Sequence, residues 1–357
     1  MMITNLFQAP FQQAVLMNYT TQPFLQRHTG HTNVQESHLI AQTFHALGYR
    51  VDVVDFCDET PLDLSPYQLL FGFGQAFERS FTQRRDLTRV YYATGAHVSH
   101  QNPAEIARVR DVNRRHGTRL LPQRIVPWCW SMSTAMSDAL VVIGNDWTVS
   151  TYRPFTDAPI HMLAATALFN PQPDRIARTH GRRPSGLLWF GASGFVHKGL
   201  DVCLEYAAMD PEVTLHVCAA EEPEFMQAFS RAFALPNVVY HGFVSVQSDT
   251  FIRIVSQCEC CILPSCSEGQ STSLLTAMAT GLLPIATRFT GVDVGSLGIL
   301  LDEISVDAVA RAVAAVRAML PQERARRDLE IRDYCHTVHA PRRFAENFRA
   351  LIAGYVV

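Results

Sequence analysis

Residues 264–281, PSCSEGQSTSLLTAMATG, follow a short apolar run at 260–263 that predicts a buried strand. A loop of small residues then leads into a helix that is predicted to begin near Ser271, with Ser271 or Thr272 as its cap. Backbone N–H groups and the helix dipole at such a start favour an anion. Glu268, just before the helix, can accept hydrogen bonds from hydroxyl groups. The stretch predicts a diphosphate site, and the alternative is an ordinary loop-to-helix cap.

A second loop, residues 190–201 with the sequence FGASGFVHKGLD, has a related pattern. A predicted strand runs into two glycines, Gly191 and Gly194, and a lone lysine, Lys198, then opens a helix. A cation at a helix N-terminus is unfavourable for the helix itself, so its place there is explained if it neutralises a phosphate. The glycine spacing matches neither the dinucleotide fingerprint nor the Walker loop.

Composition limits the classes of function. The chain has 357 residues, of which 48% are hydrophobic, and a formal net charge of -3. This length predicts two domains, and the charge gives no reason to expect a nucleic acid as partner. The opening residues, MMITNLFQAPFQQAV, do not resemble a secretion signal, and no apolar run is long enough to span a bilayer. We therefore expect a cytoplasmic protein, at most peripheral to the inner face of the membrane.

One basic run stands out between residues 108 and 124. The simple explanation is the solvated face of a helix. The alternative is a patch that contacts an anionic membrane or a phosphorylated acceptor, chiefly through Arg108, Arg114 and Arg115. The run consists of Arg108, Arg110, Arg114, Arg115, Arg119 and Arg124.

The cysteines and histidines do not predict a metal site. The cluster Cys258, Cys260, Cys261 and Cys266 lacks the paired spacing of structural zinc, so these residues are predicted to be small buried hydrophobes. His31, His38 and His45 repeat every seven residues, which places neighbours two helical turns apart. That separation is too long for one shared ion, and we expect no required metal.

Apolar strands alternate with helices along the whole chain, which predicts an α/β protein. Residues 1–170 form the predicted N-terminal domain, and the stretch at 171–186, rich in Pro, Gly and Arg, is the predicted linker. Residues 187–335 form the second predicted domain, followed by a helix at 336–357. Two doubly wound parallel sheets of the Rossmann type would face a cleft, with the ligand at the carboxyl ends of the strands.

Together the two loops resemble the donor-binding half of glycosyltransferases with two Rossmann-like domains, the GT-B architecture. The likeness is to the retaining group called glycosyltransferase family 4, or group 1, and it is specific over residues 187–290. The motifs that carry it are Lys198-Gly199, Pro264-Ser265 with Glu268-Gly269, Ala277-Met278-Ala279, and Gly281 with Pro284-Ile285.

The resemblance implies a hexosyltransferase that uses a nucleotide-diphosphate sugar, such as a UDP sugar, as co-substrate and needs no cofactor. The acceptor would be a glycan or a lipid-linked glycan in polysaccharide biosynthesis. Lys198 would bind the diphosphate and Glu268 the sugar hydroxyls. Backbone groups of Gly269, Gln270 and Ser271, followed by Thr272, would lie close to the sugar and phosphates. The last helix would return to the N-terminal domain.

Two positions depart from the family pattern. Ser193 stands where an arginine is common, and Thr276 stands where a second glutamate usually binds the ribose. Backbone N–H groups of Gly191, Ser193 and Gly194 are expected to compensate by forming a nest for the diphosphate.

The first half contributes further candidates. His97 follows a predicted strand and is the first candidate for a histidine near the donor sugar, with His100 the second. The loop containing His31, Thr32 and Asn33 precedes the first helix and is expected to face the acceptor or the diphosphate.

Three alternatives remain at this point. A non-catalytic partner subunit of the same fold would explain Ser193 and Thr276. An epimerase or phosphorylase of this architecture would need further carboxylates or pyridoxal phosphate, for which no place is evident. A dinucleotide oxidoreductase lacks its glycine fingerprint.

Overall fold

A computed structural model describes residues 2–25, 30–178 and 186–356. Its contacts divide the chain into two compact units. The first unit comprises Met1–His97, Pro127–Thr166 and Val338–Val357. The second unit comprises Val98–Val126 and Ala167–Thr337.

The strands and helices follow one another in the order that the alternating pattern predicts. The strands of the first unit are β1 (Met2–Ile3), β2 (Ala14–Tyr19), β3 (Arg50–Asp55), β4 (Leu69–Gly72), β5 (Thr88–Ala93), β6 (Ala139–Ile143) and β7 (Ile160–Leu163). Those of the second unit are β8 (Gly186–Phe190), β9 (Thr214–Cys218), β10 (Val238–Tyr240), β11 (Cys260–Leu263), β12 (Leu283–Thr287) and β13 (Ile299–Leu301).

The helices lie between these strands. The earlier ones are α1 (Gln22–Leu25), α2 (Thr32–Ala46), α3 (Gln75–Gln83), α4 (Val98–His116), α5 (Ser131–Met136) and α6 (Asp146–Tyr152). The later ones are α7 (Leu200–Met209), α8 (Pro223–Ala228), α9 (Ser230–Phe233), α10 (Asp249–Gln257), α11 (Thr272–Met278), α12 (Val306–Ala318), α13 (Pro321–Val338) and α14 (Pro341–Ile352).

The sheet of the first unit has the order β1-β3-β2-β4-β5-β6-β7 over the described residues, and all its pairs are parallel except β1 with β3. Runs such as AVLMN in β2 are fully buried, as expected of a parallel sheet covered on both faces. Helix α14 packs on this unit, where Phe348 makes edge contacts with Phe44 and Phe71 at centroid distances of 5.6 and 5.3 Å.

The sheet of the second unit has the order β10-β9-β8-β11-β12-β13 and is parallel throughout its described strands. Strands β8 and β11 are neighbours, with Leu187 opposite Cys260. Because parallel neighbours end at the same edge of a sheet, the loops that follow them, at 191–199 and 264–271, lie side by side.

The compact units differ from the predicted domain boundaries in two segments. Residues Val98–Val126, which carry α4, group with the second unit. Arg108 of α4 forms a bidentate pair with the buried Asp201 of α7, with both N–O distances 2.7 Å. The predicted linker also differs, because Arg178 binds Asp328 inside the second unit. Linker residues 179–185 lie outside the described residues.

The predicted α/β class with two Rossmann-like sheets is confirmed. The buried state predicted for Cys258, Cys260, Cys261 and Cys266 is also confirmed. The sequence analysis did not predict β7, β13 or α3, which are short or mostly polar. Within the described ranges, no helix combines the length and the apolar character needed to cross a bilayer.

Glu36 gives the first unit a pH-dependent stability. This buried carboxylate accepts hydrogen bonds from the backbone N–H and the hydroxyl of Thr166, at 2.7 and 3.0 Å. Burial raises its pKa from 4.5 to about 7, although the Thr166 hydrogen bonds oppose the shift. A raised folded-state pKa means that stability is greatest below the unfolded value and is lost as the pH rises through the folded value.

We predict that the free energy of unfolding falls by up to about 3 kcal/mol between pH 5 and pH 8 because of this group. Glu36→Gln keeps an acceptor for Thr166 without a charge, so the fall should be smaller in the variant. Urea denaturation of both proteins across this pH range measures the difference, and parallel pH profiles would contradict the assignment.

Candidate donor-binding site

The two loops at the carboxyl edge of the second sheet are joined directly. The backbone N–H of Cys266 donates to the carbonyl of His197 at 2.9 Å. Gly199 has a φ of +69°, and a Cβ atom there would lie 2.5 Å from the carbonyl oxygen of Pro264. A side chain at position 199 would therefore separate the loops, which explains the glycine in the Lys-Gly motif.

Lys198 and Glu268, two of the three predicted catalytic residues (the third is His97), form an ion pair between Nζ and Oε1. The side chain of Lys198 is 7% exposed and that of Glu268 is 11% exposed. Ser265 donates a further hydrogen bond to the Glu268 carboxylate at 3.1 Å. Trp189 fixes the backbone of Lys198, because its indole N–H donates to the Lys198 carbonyl at 3.2 Å. The structure thus brings together the two residues that the sequence placed 70 positions apart.

The Glu268 carboxylate is held in its ionised form. Burial alone would raise its pKa, but the positive charges of Lys198, His197 and Arg124 outweigh burial and lower the pKa to about 2. A carboxylate that stays ionised at neutral pH is an acceptor only, which suits the binding of hydroxyl donors.

Lys198 is also the only lysine in the sequence. Of the 30 lysine and arginine residues, 29 are arginines. A compact ammonium on a flexible stem and a planar guanidinium are not interchangeable at a phosphate site. Lys198 is therefore the only ammonium side chain that the sequence offers to a phosphate, and it lies in this loop.

His197 connects the loops to α4. Its Nδ1 lies 2.7 Å from the carboxylate of Glu105, and its Nε2 faces the carbonyl of Ser267. Both ring nitrogens thus lie against oxygen atoms that can accept hydrogen bonds. Glu105 also accepts the backbone N–H groups of Gln123 and Arg124 at 2.8 and 3.1 Å. The sequence analysis missed Glu105, because nothing local distinguishes a glutamate within a helix.

Among the described residues, one group of side chains has the composition of a metal site, namely Glu105, His197 and Cys266. Cys266 Sγ lies 3.4 Å from His197 Nδ1. However, burial raises the pKa of the Cys266 thiol to about 12, and the histidine nitrogens already have acceptors as partners. A metal would need a thiolate and a free ring nitrogen, so this group fits a hydrogen-bonded network better than a metal site.

The nest predicted from Gly191, Ser193 and Gly194 is wrong as a free anion site. Gly191 donates its N–H to the carbonyl of Cys218 at 3.1 Å. Gly194 donates its N–H to the carboxylate of Glu222, which Phe195 also contacts at 3.2 Å. The backbone does form an anion site, but the anion that occupies it is Glu222 of the same unit. Ser193 is exposed beside this site.

Arg124 supplies a cation that the sequence analysis did not assign to the donor site. A Cβ atom on Gly194 would lie 2.6 Å from Arg124 Cγ, so this side chain packs directly on the glycine. Its charge contributes to the lowered pKa of Glu268. Burial raises the pKa of Glu222, and the Arg124 charge opposes that rise. Arg124 Nε is buried and has no hydrogen-bond partner among the described residues. In the sequence it was one member of the basic run, with no signal to distinguish it.

Glu105, Gln123, Ser193, Gly194, Glu222 and Phe225 are among the residues that line a cavity of about 450 Å³ beside the 191–199 loop. All of its lining residues belong to the second unit. The cavity therefore adjoins the loop that carries Lys198.

The predicted contacts from the start of α11 are only partly available. The Ser271 side chain makes no capping hydrogen bond, and its backbone N–H donates to the carbonyl of Thr290 at 2.8 Å. Ser271 therefore stands at the predicted cap position, but its side chain does not cap the helix. Thr272 is the first residue of α11, Gly269 is buried, and the Gln270 side chain donates to the carbonyl of Gly291 at 3.1 Å.

Thr276 has a structural partner in place of the predicted ribose. It is 2% exposed, and its hydroxyl accepts the backbone N–H of Leu168 at 3.1 Å. The Thr276 hydroxyl therefore fixes the backbone at Leu168, near the start of the segment Ala167–Thr337 of the second unit. The sequence could not show this, because the two residues are 108 positions apart.

His100 and His97 lie in different units. His100 belongs to α4 of the second unit, and its Nδ1 lies 3.3 Å from the hydroxyl of Ser267, next to Glu268. Burial lowers its pKa, and the charges of Arg288 and His197 add to this effect. His97 belongs to the first unit, where its ring stacks on Phe155 at a centroid distance of 4.1 Å.

The other candidates of the first unit lie at the start of α2. His31 is its cap, and its Nδ1 accepts the backbone N–H of Asn33 at 3.1 Å. Thr32 is buried and Asn33 half-buried. The role expected for this loop stays a prediction.

Acidic residues of the same unit pair with the three arginines that were named for the alternative membrane patch. Arg108 is buried against Asp201, and Arg115 binds Asp201 and Glu205. Arg114 is exposed but pairs with Asp111 at 2.8 Å. Two of the three arginines thus hold α4 to α7 within the second unit, because buried acidic partners neutralise them.

Comparisons with known proteins agree with this arrangement. Residues 185–318 match the family model described as "Glycosyl transferases group 1". No curated protein sequence was found to match the chain.

The fold is shared with solved glycosyltransferase structures. A sucrose-phosphate synthase from Thermosynechococcus elongatus aligns with a TM-score of 0.69 at 13% identity, over 96% of this chain and 100% of that chain. HepE of Anabaena, solved with UDP and glucose, gives a TM-score of 0.61 at 12% identity and the same coverage. WaaG, a glycosyltransferase involved in lipopolysaccharide biosynthesis, gives 0.57 at 15% identity, over 93% of this chain and 98% of that chain.

The fold is the GT-B fold of these solved structures. Residues 185–318, which contain Lys198 and Glu268, match the group 1 glycosyltransferase model, and the resemblance to that group stated from the motifs is confirmed over these residues.

We predict that Gly199→Ala destabilises the second unit more than Gly242→Ala does. The two glycines have nearly the same backbone angle, φ +69° and +68°, but a Cβ at 242 meets nothing within 4 Å. Both variants should lose about 1–2 kcal/mol from the left-handed backbone. Only Gly199→Ala should lose a further 1–3 kcal/mol or so from contact with Pro264. Equal losses by chemical denaturation would show that the loop junction contributes nothing.

Proposed function

We propose that the protein transfers a hexose-type sugar from a nucleotide-diphosphate sugar to a glycan or lipid-linked acceptor, with retention of anomeric configuration. The single observation that carries the proposal is the pairing of Lys198, the only lysine in the sequence, with Glu268 at the carboxyl edge of the second sheet. A UDP sugar is the donor we expect, because HepE was solved with UDP and glucose.

The charges suit the chemistry of such a transfer. The bond between the anomeric carbon and the diphosphate oxygen breaks, and the acceptor oxygen forms the new bond and releases its proton. Negative charge therefore develops on the departing diphosphate, where a fixed cation lowers the barrier. In this proposal Lys198 stabilises that charge, Glu268 accepts hydrogen bonds from the sugar hydroxyls, and His100 lies beside the loop that orients the sugar. No metal ion is required.

Lys198→Ala is expected to lower turnover at least about 100-fold, since it removes the charge that acts on the leaving group. Lys198→Arg is the matched control, because it keeps a positive charge but changes its shape. Transfer or hydrolysis of UDP-, GDP-, ADP- and dTDP-sugars by purified protein measures the effect. Native turnover by the alanine variant would contradict the proposal.

The single lysine permits a test that does not depend on turnover. Apart from an α-amino group, Lys198 carries the only amine in the sequence. A bound donor should protect it from an amine-acylating reagent, measured by mass spectrometry of the peptide that contains it. The nucleoside without phosphates is the control ligand and should give no protection. A labelling rate that no nucleotide sugar changes would contradict the assignment of Lys198 to the diphosphate.

Arg124 is proposed as the second cation for the diphosphate. Arg124→Ala is expected to weaken donor binding about tenfold, as for the loss of a charge-assisted hydrogen bond. Gly194→Ala should have a similar effect, because its Cβ would displace the Arg124 side chain. The double variant should then be no weaker than either single variant. Arg114→Ala, which changes an exposed arginine, is the control, and additive losses in calorimetry would reject this role.

The second candidate function is a non-catalytic, donor-binding partner subunit. The observation that favours it is that the Thr276 hydroxyl and the Gly194 N–H, two of the expected donor contacts, are already bonded to groups of the second unit. Donor binding with no transfer or hydrolysis by the native protein would support this alternative.

A further inference from the structure

A cluster of aromatic rings lies at the carboxyl edge of the first sheet. Phe56 directly follows β3 and Phe73 directly follows β4. Trp128 stacks on Trp130 with a centroid distance of 5.6 Å and an interplanar angle of 21°. Phe56 meets the edge of Trp128 at 5.6 Å, and Phe73 contacts Trp130 at 5.9 Å. These four residues, all in the first unit, are called the aromatic platform below.

The platform presents apolar surface to solvent. Trp130 packs against the hydrophobic core of the unit, whereas Trp128 is 38% exposed although it stacks on Trp130. Leaving indole surface in water forgoes the free energy that its burial would provide. A tryptophan held outward on an aromatic base therefore points to a ligand that covers it.

The backbone holds the platform in position. Trp130 has φ 43° and ψ 47°, a left-handed conformation that is a genuine outlier for a bulky residue. Its carbonyl accepts the backbone N–H and the hydroxyl of Thr134 at 3.0 and 3.1 Å. Glu78 fixes the start of α5, since its carboxylate accepts from the backbone N–H and the hydroxyl of Ser133. Strain of this kind concentrates at functional sites.

The charge around the platform selects the ligand. Residues 55–63, which begin at the end of β3 and include Phe56, contain four acidic residues and no basic one. Arg79 adds one positive charge at this segment, where its guanidinium donates to the backbone carbonyls of Glu59 and Thr60, at 2.7 and 3.3 Å, and the four acidic residues outnumber it. Acidic surroundings repel phosphates and anionic lipid headgroups. They favour a neutral ligand with hydroxyl donors.

We propose that the aromatic platform binds a neutral pyranose unit of the acceptor glycan, with the apolar face of the sugar on Trp128. The C–H groups of that face carry a small positive charge and meet the negative face of the indole ring. The sugar hydroxyls donate to the carboxylates of residues 55–63. The location agrees with the rule that open α/β sheets bind ligands at the carboxyl ends of their strands. This inference rests on the proposed function, for which it names the acceptor class.

The test is calorimetric titration of the full chain, without donor, against a panel of neutral pyranose oligosaccharides of glucose, galactose, mannose and N-acetylglucosamine. We expect at least one to bind the native protein, and Trp128→Ala to weaken that binding about tenfold. Trp128→Phe retains a ring and should recover most of the affinity. Phe243→Ala removes an aromatic residue that is 77% exposed in the second unit and should bind as the native protein does.

Three outcomes would overturn the inference. They are no binding of any member of the panel to the native protein, equal binding by native protein and Trp128→Ala, and Trp128-dependent binding to phosphatidylglycerol vesicles in place of the sugars. Near-UV circular dichroism and the Tm of each variant verify folding, and Trp128→Leu, which keeps apolar volume without a ring and should also lose the binding, provides the result if the alanine variant is unfolded. Donor binding by the native protein is measured separately, so its absence would contradict the proposed function and not the platform.

Discussion

The carboxylate of Glu105, 2.7 Å from Nδ1 of a fully buried His197, is the contact on which the donor site depends. On one side it accepts the backbone N–H of Arg124 and so positions that cation. On the other side it orients His197. The Nε2 atom of that ring contacts the carbonyl of Ser267, and the backbone carbonyl of His197 accepts the N–H of Cys266. One charged side chain on α4 thereby fixes both loops of the second sheet. Loss of His197 would leave the buried Glu105 carboxylate without this partner, and an uncompensated buried charge is strongly destabilising.

Buried ion pairs contribute little to stability when compared with apolar residues of the same size, because desolvation offsets their attraction. The second unit nevertheless buries several such pairs, among them Lys198 with Glu268 and Arg108 with Asp201. Their shared property is fixed geometry. Charges that are already in place need no rearrangement when charge develops on a ligand. A preorganised site therefore explains the buried pairs better than a contribution to the stability of the fold does.

Local sequence predicted the parallel sheets and identified Lys198 and Glu268 as site residues. Apolar runs indicate strands, and short motifs mark such residues, within windows of about ten residues. It could not predict Arg124 or Glu105, whose roles come from contacts across the fold. The basic run shows the reason. Arg108, paired with the buried Asp201, and Arg114, which is exposed, cannot be told apart in the sequence. The donor contacts predicted for Ser271 and Thr276 missed long-range contacts for the same reason. The Ser271 N–H already donates to the carbonyl of Thr290, and the Thr276 hydroxyl already accepts the N–H of Leu168.

The assignment of Val98–Val126 to the second unit and of Val338–Val357 to the first has a consequence for biosynthesis. A ribosome completes the first sheet long before it translates α14, whose Phe344 and Phe348 are fully buried in the first unit. That unit therefore cannot complete its core until α14 has been translated. The segment that carries Glu105, by contrast, is made early and must wait for His197. A nascent chain should thus expose unpaired apolar surface, of the kind that chaperones bind, until α14 has left the ribosome.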